Sequence, residues 1–472
     1  MKTIVWFRND LRLRDNPALF RAAEQGEVIP VFILDTVNNT EHFPGQASQW
    51  WLYQSLISLN QSLSGQLVTL AGDPRVLLPQ LSAELGAAQV VWNRGYEPWQ
   101  MLRDSEVKEL LLGQGIRCQS FNGCLLWEPW KIHKSDGTPY KVFTPYYRKG
   151  CLGAPAPRLP LPQPPTLKLV SGTPSENLHP HLVDEFPWYE GFPGYWNPGE
   201  SGASQNLELF LHQAANEYRQ LRDRPDKLGT SRLSPHIHFG EISANQIWYA
   251  SMNAGLSTDK DSGLDTFLSE LGWREFAHYL LFHFPQLPEE NFQAKFDRFT
   301  WQFDGDKLAK WKTGRTGIPI VDAGMRQLWQ TGYIHNRVRM VVASFLTKNL
   351  RMDWRLGANW FWNCLLDGDL AVNSASWQWV AGSGADAAPY FRIFNPVSQG
   401  QKFDPDGQFV KQYCPELSGL EAKYIHRPWE APEQVLADAG VHLGREYPEP
   451  IVDLKHSRQQ ALDAFALLKT PA

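Results

Sequence analysis

"TIVWFRNDLRLRDNPALFRAAEQGEVIPVFIL" (residues 3–34) decides how the N-terminal part of this chain folds. It opens on "TIVWF" and closes on "VIPVFIL", two short apolar runs rich in β-branched residues. Such runs read as strands, and the polar stretch between them leaves room for a helical crossover. The same alternation recurs downstream. "QLVTL" (66–70), "AQVVW" (88–92) and "IRCQSF" (116–121) read as further strands, with helix-like "ASQWWLYQSLISLNQSL" (47–63) and "PRVLLPQLSAELG" (74–86) between them. A βαβ series of this kind predicts an α/β domain over residues 1–130, built on a doubly wound parallel sheet. Ligands of such sheets sit at the carboxyl ends of the strands.

The pattern then changes twice. Residues 131–205 form a proline-rich connector, with "LGAPAPRLPLPQPPTL" (152–167) unable to hold a helix. From 206 to 472 the spacing is helical, so an all-α domain is expected there. Stretches that carry this reading are "NLELFLHQAANEYRQLRD", "LDTFLSELGWREFAHYLLFHF", "GIPIVDAGMRQLWQTGY", "IHNRVRMVVASFLTKNL" and "NWFWNCLLDGD".

Composition bounds the function. A net charge of −5 disfavours a nucleic-acid role spread over the whole surface, so any such role needs a local basic patch. The five cysteines are scattered without a C-x-x-C pair, which suggests neither zinc nor a disulfide framework. No run reaches the ~18 apolar residues of a membrane span, and the expectation is a soluble, cytoplasmic protein. Twenty tryptophans stand out, and they suit either a large core or stacking and electron transfer.

Several motifs carry chemistry. "GSGADAA" (382–388) matches G-x-G-x-x-A but follows a helical stretch rather than a strand, so it reads as a flexible loop and not a dinucleotide fingerprint. "GTSRLSPHIHFGEIS" (229–243) gathers the hydroxyls of Thr230, Ser231 and Ser234 with Arg232 before a helix start at Ser234-Pro235. That chemistry suits a phosphate, and equally an ordinary capped turn. His236 and His238 lack companion metal ligands and read as core or solvated residues. Helical spacing puts Glu270, Trp273, Arg274 and Ala277 on one face, which suits a flat, polar-edged ligand such as a base. A tryptophan packed beside a surface ion pair would give the same pattern. Arg337, Arg339, Lys348, Arg351 and Arg355 concentrate positive charge in one stretch, either for phosphates or as a solvated face. In "DGDLAVNSASWQW" (367–379), Asp367 or Asp369 could pair with an arginine such as Arg339. A metal between the two acids lacks supporting ligands.

Taken in order, these blocks resemble the DNA photolyase/cryptochrome family. The resemblance runs over essentially the whole chain, through "VWFRNDLRLRDNPAL" (5–19), "GTSRLS" (229–234), "ELGWREF" (270–276), "WKTGRTGIPIVDAGMRQL" (311–328), "GYIHNRVRMVVASFLTK" (332–348) and "DWRLGANWFWNCLLDGDLAVNSASWQW" (353–379). It implies FAD in the helical domain, contacted by Tyr218, Thr230, Ser231, Arg232, Leu233, Ser234, Phe267, Asp367, Gly368 and Asp369. Arg339 would pair with the first acid, and Asn373 would face flavin N5. It further implies light-driven electron transfer to a flipped-out cyclobutane pyrimidine dimer in UV-damaged DNA. Photolyases are among the general examples of enzymes that extrude their target base.

Within the family, Asn373 matches photolyases rather than plant cryptochromes, and Asn336 and Met340 stand where (6-4) enzymes carry histidines. No cryptochrome-type tail is expected. Glu270 would bond the pyrimidine edge, with Trp273, Trp379, Met340 and Asn336 around the lesion. Arg222, Arg274, Arg337, Arg392 and Gln399 match the DNA-contacting positions. Trp301, Trp354 and Trp377 match the electron relay. The antenna block departs: "YEPWQ" (96–100) replaces the bacterial pterin pattern, so a second chromophore would be a differently bound folate or a deazaflavin, if one binds. The expected form is a monomer with no obligate protein partner and no metal. A cryptochrome-type photoreceptor without repair is the rival reading.

Overall fold

The structure, a computed structural model, describes residues 1–38, 41–173, 175–183, 188–387 and 392–468. Two compact units emerge. One holds residues 1–216, 231–285 and 366–371, and the other 217–230, 286–365 and 372–472. Each is described below on its own.

The first unit is built on five parallel strands, β1 (Lys2–Phe7), β2 (Glu27–Asp35), β3 (Val68–Gly72), β4 (Gln89–Asn93) and β5 (Arg117–Phe121), in the order 3-2-1-4-5. A two-residue strand, Lys168–Leu169, adds to the start of β2 in parallel. Helices α1 (Pro17–Gln25), α2 (Gln46–Ser62), α3 (Pro74–Leu85) and α4 (Pro98–Gly113) make the crossovers. The strand and helix expectations therefore hold to within two residues at each end. Local signals explain the helix starts. Asn16 accepts the Leu19 amide ahead of Pro17, and Asp73 accepts the Arg75 amide ahead of Pro74. The core between sheet and helices includes Ile4, Trp6, Ile29, Val31, Val90, Leu78 and Leu111, all buried.

The strand order reverses between β1 and β4, the usual place for a ligand crevice. Here the protein's own polar groups fill that end of the strands. Asn93 Nδ2 donates to Asp10 Oδ2 at 2.6 Å and to Asn16 Oδ1 at 2.8 Å. Arg12 is buried and donates to the carbonyls of Asp15, Gly123 and Gly240. The last of these bonds ties the sheet loops to a segment more than two hundred residues away. Trp51 Nε1 and Ser55 Oγ on α2 likewise donate to Glu241, and His236 meets the same carboxylate. These buried contacts explain why residues 231–285 fold with the sheet, although their spacing is helical. His236 is thus a core residue.

The long helix of this unit, Gly263–His283, is capped by Ser262, whose hydroxyl accepts the Asp265 amide. The expected helix over 206–223 is broken. One helix ends at Gln213, and a single turn, Tyr218–Leu221, follows in the other unit.

The second unit is helical. Its chief helices are Pro319–Thr331, Asn336–Ser344 and Trp354–Cys364, with a π-turn at Phe345–Asn349. Asp322 is buried and accepts from the Thr316 amide and hydroxyl, the Gly317 amide and the Tyr447 hydroxyl, which pins the C-terminal segment to this helix. Burial raises its carboxyl above the usual range against those donors. Trp311, Phe361 and Trp377 form an aromatic centre, Phe361 lying 5.0 Å from Trp377 at 79°. The helix Leu370–Ala381 starts in the first unit and continues in the second. Ala388, the last residue of "GSGADAA", lies outside the described residues, as do 174 and 184–187 of the connector.

Candidate active site

In the first unit Asp369 meets two histidines. His278 Nε2 lies 3.1 Å and His238 Nδ1 3.7 Å from Asp369 Oδ2. The His278 contact is a charge contact without hydrogen-bond alignment. Burial opposes the Asp369 charge, yet the two imidazoles overcome that penalty and hold the carboxyl well below the usual range. Asp369 is therefore a buried anion. Its amide closes a tight turn onto the Asp367 carbonyl at 2.7 Å. His278 was not foreseen as a site residue. It lies one position beyond Ala277 on the same helix, so a longer reading of that face finds it.

Thr230–Leu233 forms a turn in which Arg232 takes a left-handed backbone conformation, φ 54°. The Ser231 hydroxyl accepts the Leu233 amide at 3.4 Å. The helix Ser234–His238 does start at Ser234-Pro235, but it is one turn long and no side chain caps it. Arg232 stacks over Trp196 at 4.1 Å and donates to the Tyr195 carbonyl. Phe267 is buried against Phe210, at 4.4 Å between ring centroids.

Glu270, Trp273 and Arg274 lie on the long helix as expected. Trp273 is half-buried and stacked on Phe143. Arg274 Nη1 is engaged by the Cys124 carbonyl and by Glu275. Glu275 is buried and accepts the amides of Leu126 and Trp127. Burial lifts its carboxyl to about 7, ahead of the opposing pull of Arg274 and the two amides. Glu97 is also lifted to about 7, first by burial and then by the Asp369 charge. A carboxyl raised on folding favours the folded state below its unfolded value of 4.5 and loses that contribution as pH rises through about 7. Melting temperature should accordingly fall between those values in the wild type. Glu275→Gln should flatten the fall, as followed by circular dichroism across pH; an unchanged slope would remove Glu275 from the account.

In the second unit, Asn373 Nδ2 donates to the Ala358 carbonyl at 3.1 Å. That bond sets the amide's orientation and leaves Oδ1 without a protein partner among the described residues. Arg339 Nε donates to the Ile334 carbonyl at 2.8 Å. Tyr218 is buried beneath the Arg222 guanidinium, 5.6 Å from its ring. Asn336 is exposed, and Met340 and Trp379 are half-buried. Arg392 is exposed, whereas Gln399 Oε1 is buried without a partner among the described residues.

The expected basic stretch is not a continuous cationic face. Arg337 is paired with Asp223 at 2.8 Å and Arg355 with Asp353 at 2.9 Å. Lys348 is fully buried in the π-turn, donates to the Ala381 carbonyl, and is driven well below its usual pKa by burial. It cannot reach a phosphate.

The three tryptophans expected to form a relay differ in environment. Trp377 and Trp354 are buried, and Trp301 is half-exposed. Trp354 Nε1 donates to Asn291 at 3.0 Å, and Trp301 lies 4.5 Å from Phe299. Gly357 makes room for Trp377, since a Cβ there would lie 2.1 Å from the indole.

These donor sets fit FAD chemically. In the first unit Asp369 is an anion of the kind a polar ring edge would take, and Ser231–Ser234 carry hydroxyls and amides of the kind a phosphate would take; in the second, Asn373 presents an oriented amide. No group of three potential metal ligands occurs within either unit among the described residues. No helix among them is long and apolar enough to cross a membrane.

A parallel-sheet unit and a helical unit carried by one chain are a recognised class of architecture. Residues 3–165 match the family model for DNA photolyase, and residues 267–467 match the FAD binding domain of DNA photolyase. A deoxyribodipyrimidine photo-lyase of Agrobacterium fabrum is 48% identical over 99% of this chain and 98% of its own. Cryptochrome-2 of Arabidopsis thaliana is 40% identical over 98% of this chain and 79% of its own. The crystal structure of a bacterial class III photolyase from Agrobacterium tumefaciens superposes with a TM-score of 0.94 at 47% identity, covering 99% of this chain and 98% of that one. The chain belongs to the DNA photolyase/cryptochrome family.

Proposed function

We propose that this protein is a light-dependent DNA repair enzyme, a deoxyribodipyrimidine photo-lyase that splits cyclobutane pyrimidine dimers in UV-damaged DNA. The observation that carries this reading is the likeness, over nearly the full length of both chains, to a protein bearing that name. Tyr218, Thr230–Ser234, Phe267, Arg339 and Asp367–Asp369 would hold FAD, with the amide of Asn373 at N5. When bound and reduced, FAD supplies the light-excited electron that opens the cyclobutane ring. The chain's own groups do the rest. Glu270 bonds the pyrimidine edge. Trp273 and Trp379 wall the lesion, and Met340 and Asn336 complete its pocket. Arg222, Arg274, Arg337, Arg392 and Gln399 serve the DNA backbone, where cations position without reading sequence. Trp377, Trp354 and Trp301 pass electrons inward from the surface.

The protein acts as a cytoplasmic monomer without an obligate protein partner, and any second chromophore it binds would be an antenna of folate or deazaflavin type. The test is irradiation of the purified, reduced protein with dimer-containing duplex and single-stranded DNA. Loss of dimers under blue light and not in the dark is expected. Dimers that persist in both substrates would favour the photoreceptor reading instead, which the 40% identity to a cryptochrome keeps in view.

A further inference from the structure

The first part of the connector, residues 140–148, is bound along the long helix Gly263–His283 at four places. Arg148 forms a two-armed ion pair with Asp265, at 2.7 and 2.6 Å. Tyr279 Oη accepts the Tyr140 amide at 2.9 Å. The Tyr146 ring lies against Phe276 and Tyr279, at 5.0 and 4.7 Å. Finally, Phe143 stacks face to face on Trp273, with ring centroids 3.8 Å apart and planes 13° from parallel.

The stack continues behind Phe143. Tyr147 lies 5.5 Å from Phe143 at 8°, so three nearly parallel rings run Tyr147, Phe143, Trp273. Phe143 is 8% and Tyr147 1% exposed, whereas Trp273 keeps more of its surface. The back of the stack is set against the helix itself. A Cβ on Gly272, the residue before Trp273, would lie 2.5 Å from the Tyr147 ring. Glycine is what lets that ring lie flat there. Arg148, locked to Asp265, also sits over the Tyr147 ring at 5.3 Å. An indole on a helix has two torsions to settle, and a ring stacked on one face removes most of that freedom.

We infer that Phe143, backed by Tyr147, is a positioning residue that fixes the Trp273 indole as a one-sided wall for the flipped dimer. The inference rests on the lesion role proposed for Trp273. Phe143 itself touches no substrate. With one face of the indole taken by Phe143, only its other face and its edge remain for a lesion. The wall is thereby orientated before DNA arrives, and less freedom is lost on binding.

The test compares dark binding of dimer-containing and undamaged duplexes by wild type, Phe143→Leu, Phe143→Tyr and Gly272→Ala. Flavin content and melting temperature are recorded for each. Phe143→Leu keeps an apolar side chain but loses the stack. It should weaken binding of the dimer duplex by about threefold to tenfold and leave undamaged DNA within about twofold. Phe143→Tyr keeps the stack and should restore discrimination. Gly272→Ala, which pushes Tyr147 from behind, should reproduce the selective loss. Equal weakening on both duplexes, or unchanged discrimination in Phe143→Leu, would overturn the inference and leave the repair reading standing. A wild type that does not discriminate the two duplexes would remove the lesion role of Trp273, and the inference with it.

Discussion

Asp369→Asn is expected to purify largely without flavin, its visible absorption relative to protein falling to a small fraction of the wild-type value. Asp369 is 8% exposed and faces the imidazoles of His278 and His238, beside which its carboxyl is held well below the usual range against the cost of burial. Asparagine matches its shape but removes the anion. Two imidazoles are then left beside a neutral group, and a ligand edge that needs an acceptor of full charge loses it. Breaking a buried charged pair costs about 3–5 kcal/mol of folding stability, so melting temperature is read beside flavin content.

The same residue sets an acid limit. A carboxyl depressed on folding contributes stability that is present above its unfolded value, 3.8, and lost as pH falls through the lower folded value. Wild-type protein should thus lose stability below about pH 4, and Asp369→Asn should lose less there. Titration of melting temperature and flavin absorption from neutral to acid checks both. A variant with wild-type flavin content would show that the anion is structural only.

The second large effect separates two tryptophans that lie two residues apart. Trp377→Phe should slow photoreduction of oxidised flavin by at least about tenfold while repair by pre-reduced enzyme survives, a rate ratio equivalent to about 1.4 kcal/mol in barrier. Trp377 is buried between Trp311, Phe361 and the bare backbone of Gly357, so phenylalanine fits its place. Trp379→Phe should do the reverse, leaving photoreduction intact and weakening dimer binding. It is half-buried, not enclosed in that aromatic centre. Flash photolysis without substrate and dark DNA binding read the two variants separately. Equal loss of both activities in both variants would mean that they are packing residues of one helix.

Where the candidate residues lie on their elements was legible because helices repeat. Glu270, Trp273 and Arg274 could be placed on one helix face from spacing alone, and Asp367–Asn373–Trp377 from the ordered blocks that carry the family resemblance. Charge was read less well. Arg337, Lys348 and Arg355 form a run of cations on paper, but Asp223 and Asp353 neutralise two of them and the π-turn buries the third. Spacing along a chain does not reveal which long side chain turns inward, because that depends on partners remote in sequence. Asp369 gave a similar surprise. Its imidazole neighbours, on histidines 91 and 131 residues upstream, were not foreseen from the sequence.

The sequence by itself determined the elements: five parallel strands with their crossovers, a proline-rich connector, a helical remainder, and the ordered blocks that define the family. Those features arise from local periodicity and capping, so neighbouring residues suffice to write them. Only the tertiary structure decided how the chain is shared between its two units. Residues 231–285 join the sheet-bearing unit because Arg12, Trp51, Ser55 and the Leu126 and Trp127 amides find their buried acceptors there, in Gly240, Glu241 and Glu275, and residues 366–371 join it where Ser48 donates to the Leu366 carbonyl and Asp369 meets His238 and His278. A buried donor must be satisfied wherever an acceptor lies, and sequence order places no limit on where that is. The stack of Phe143 on Trp273 has the same origin: two rings 130 residues apart share a face that no local pattern records.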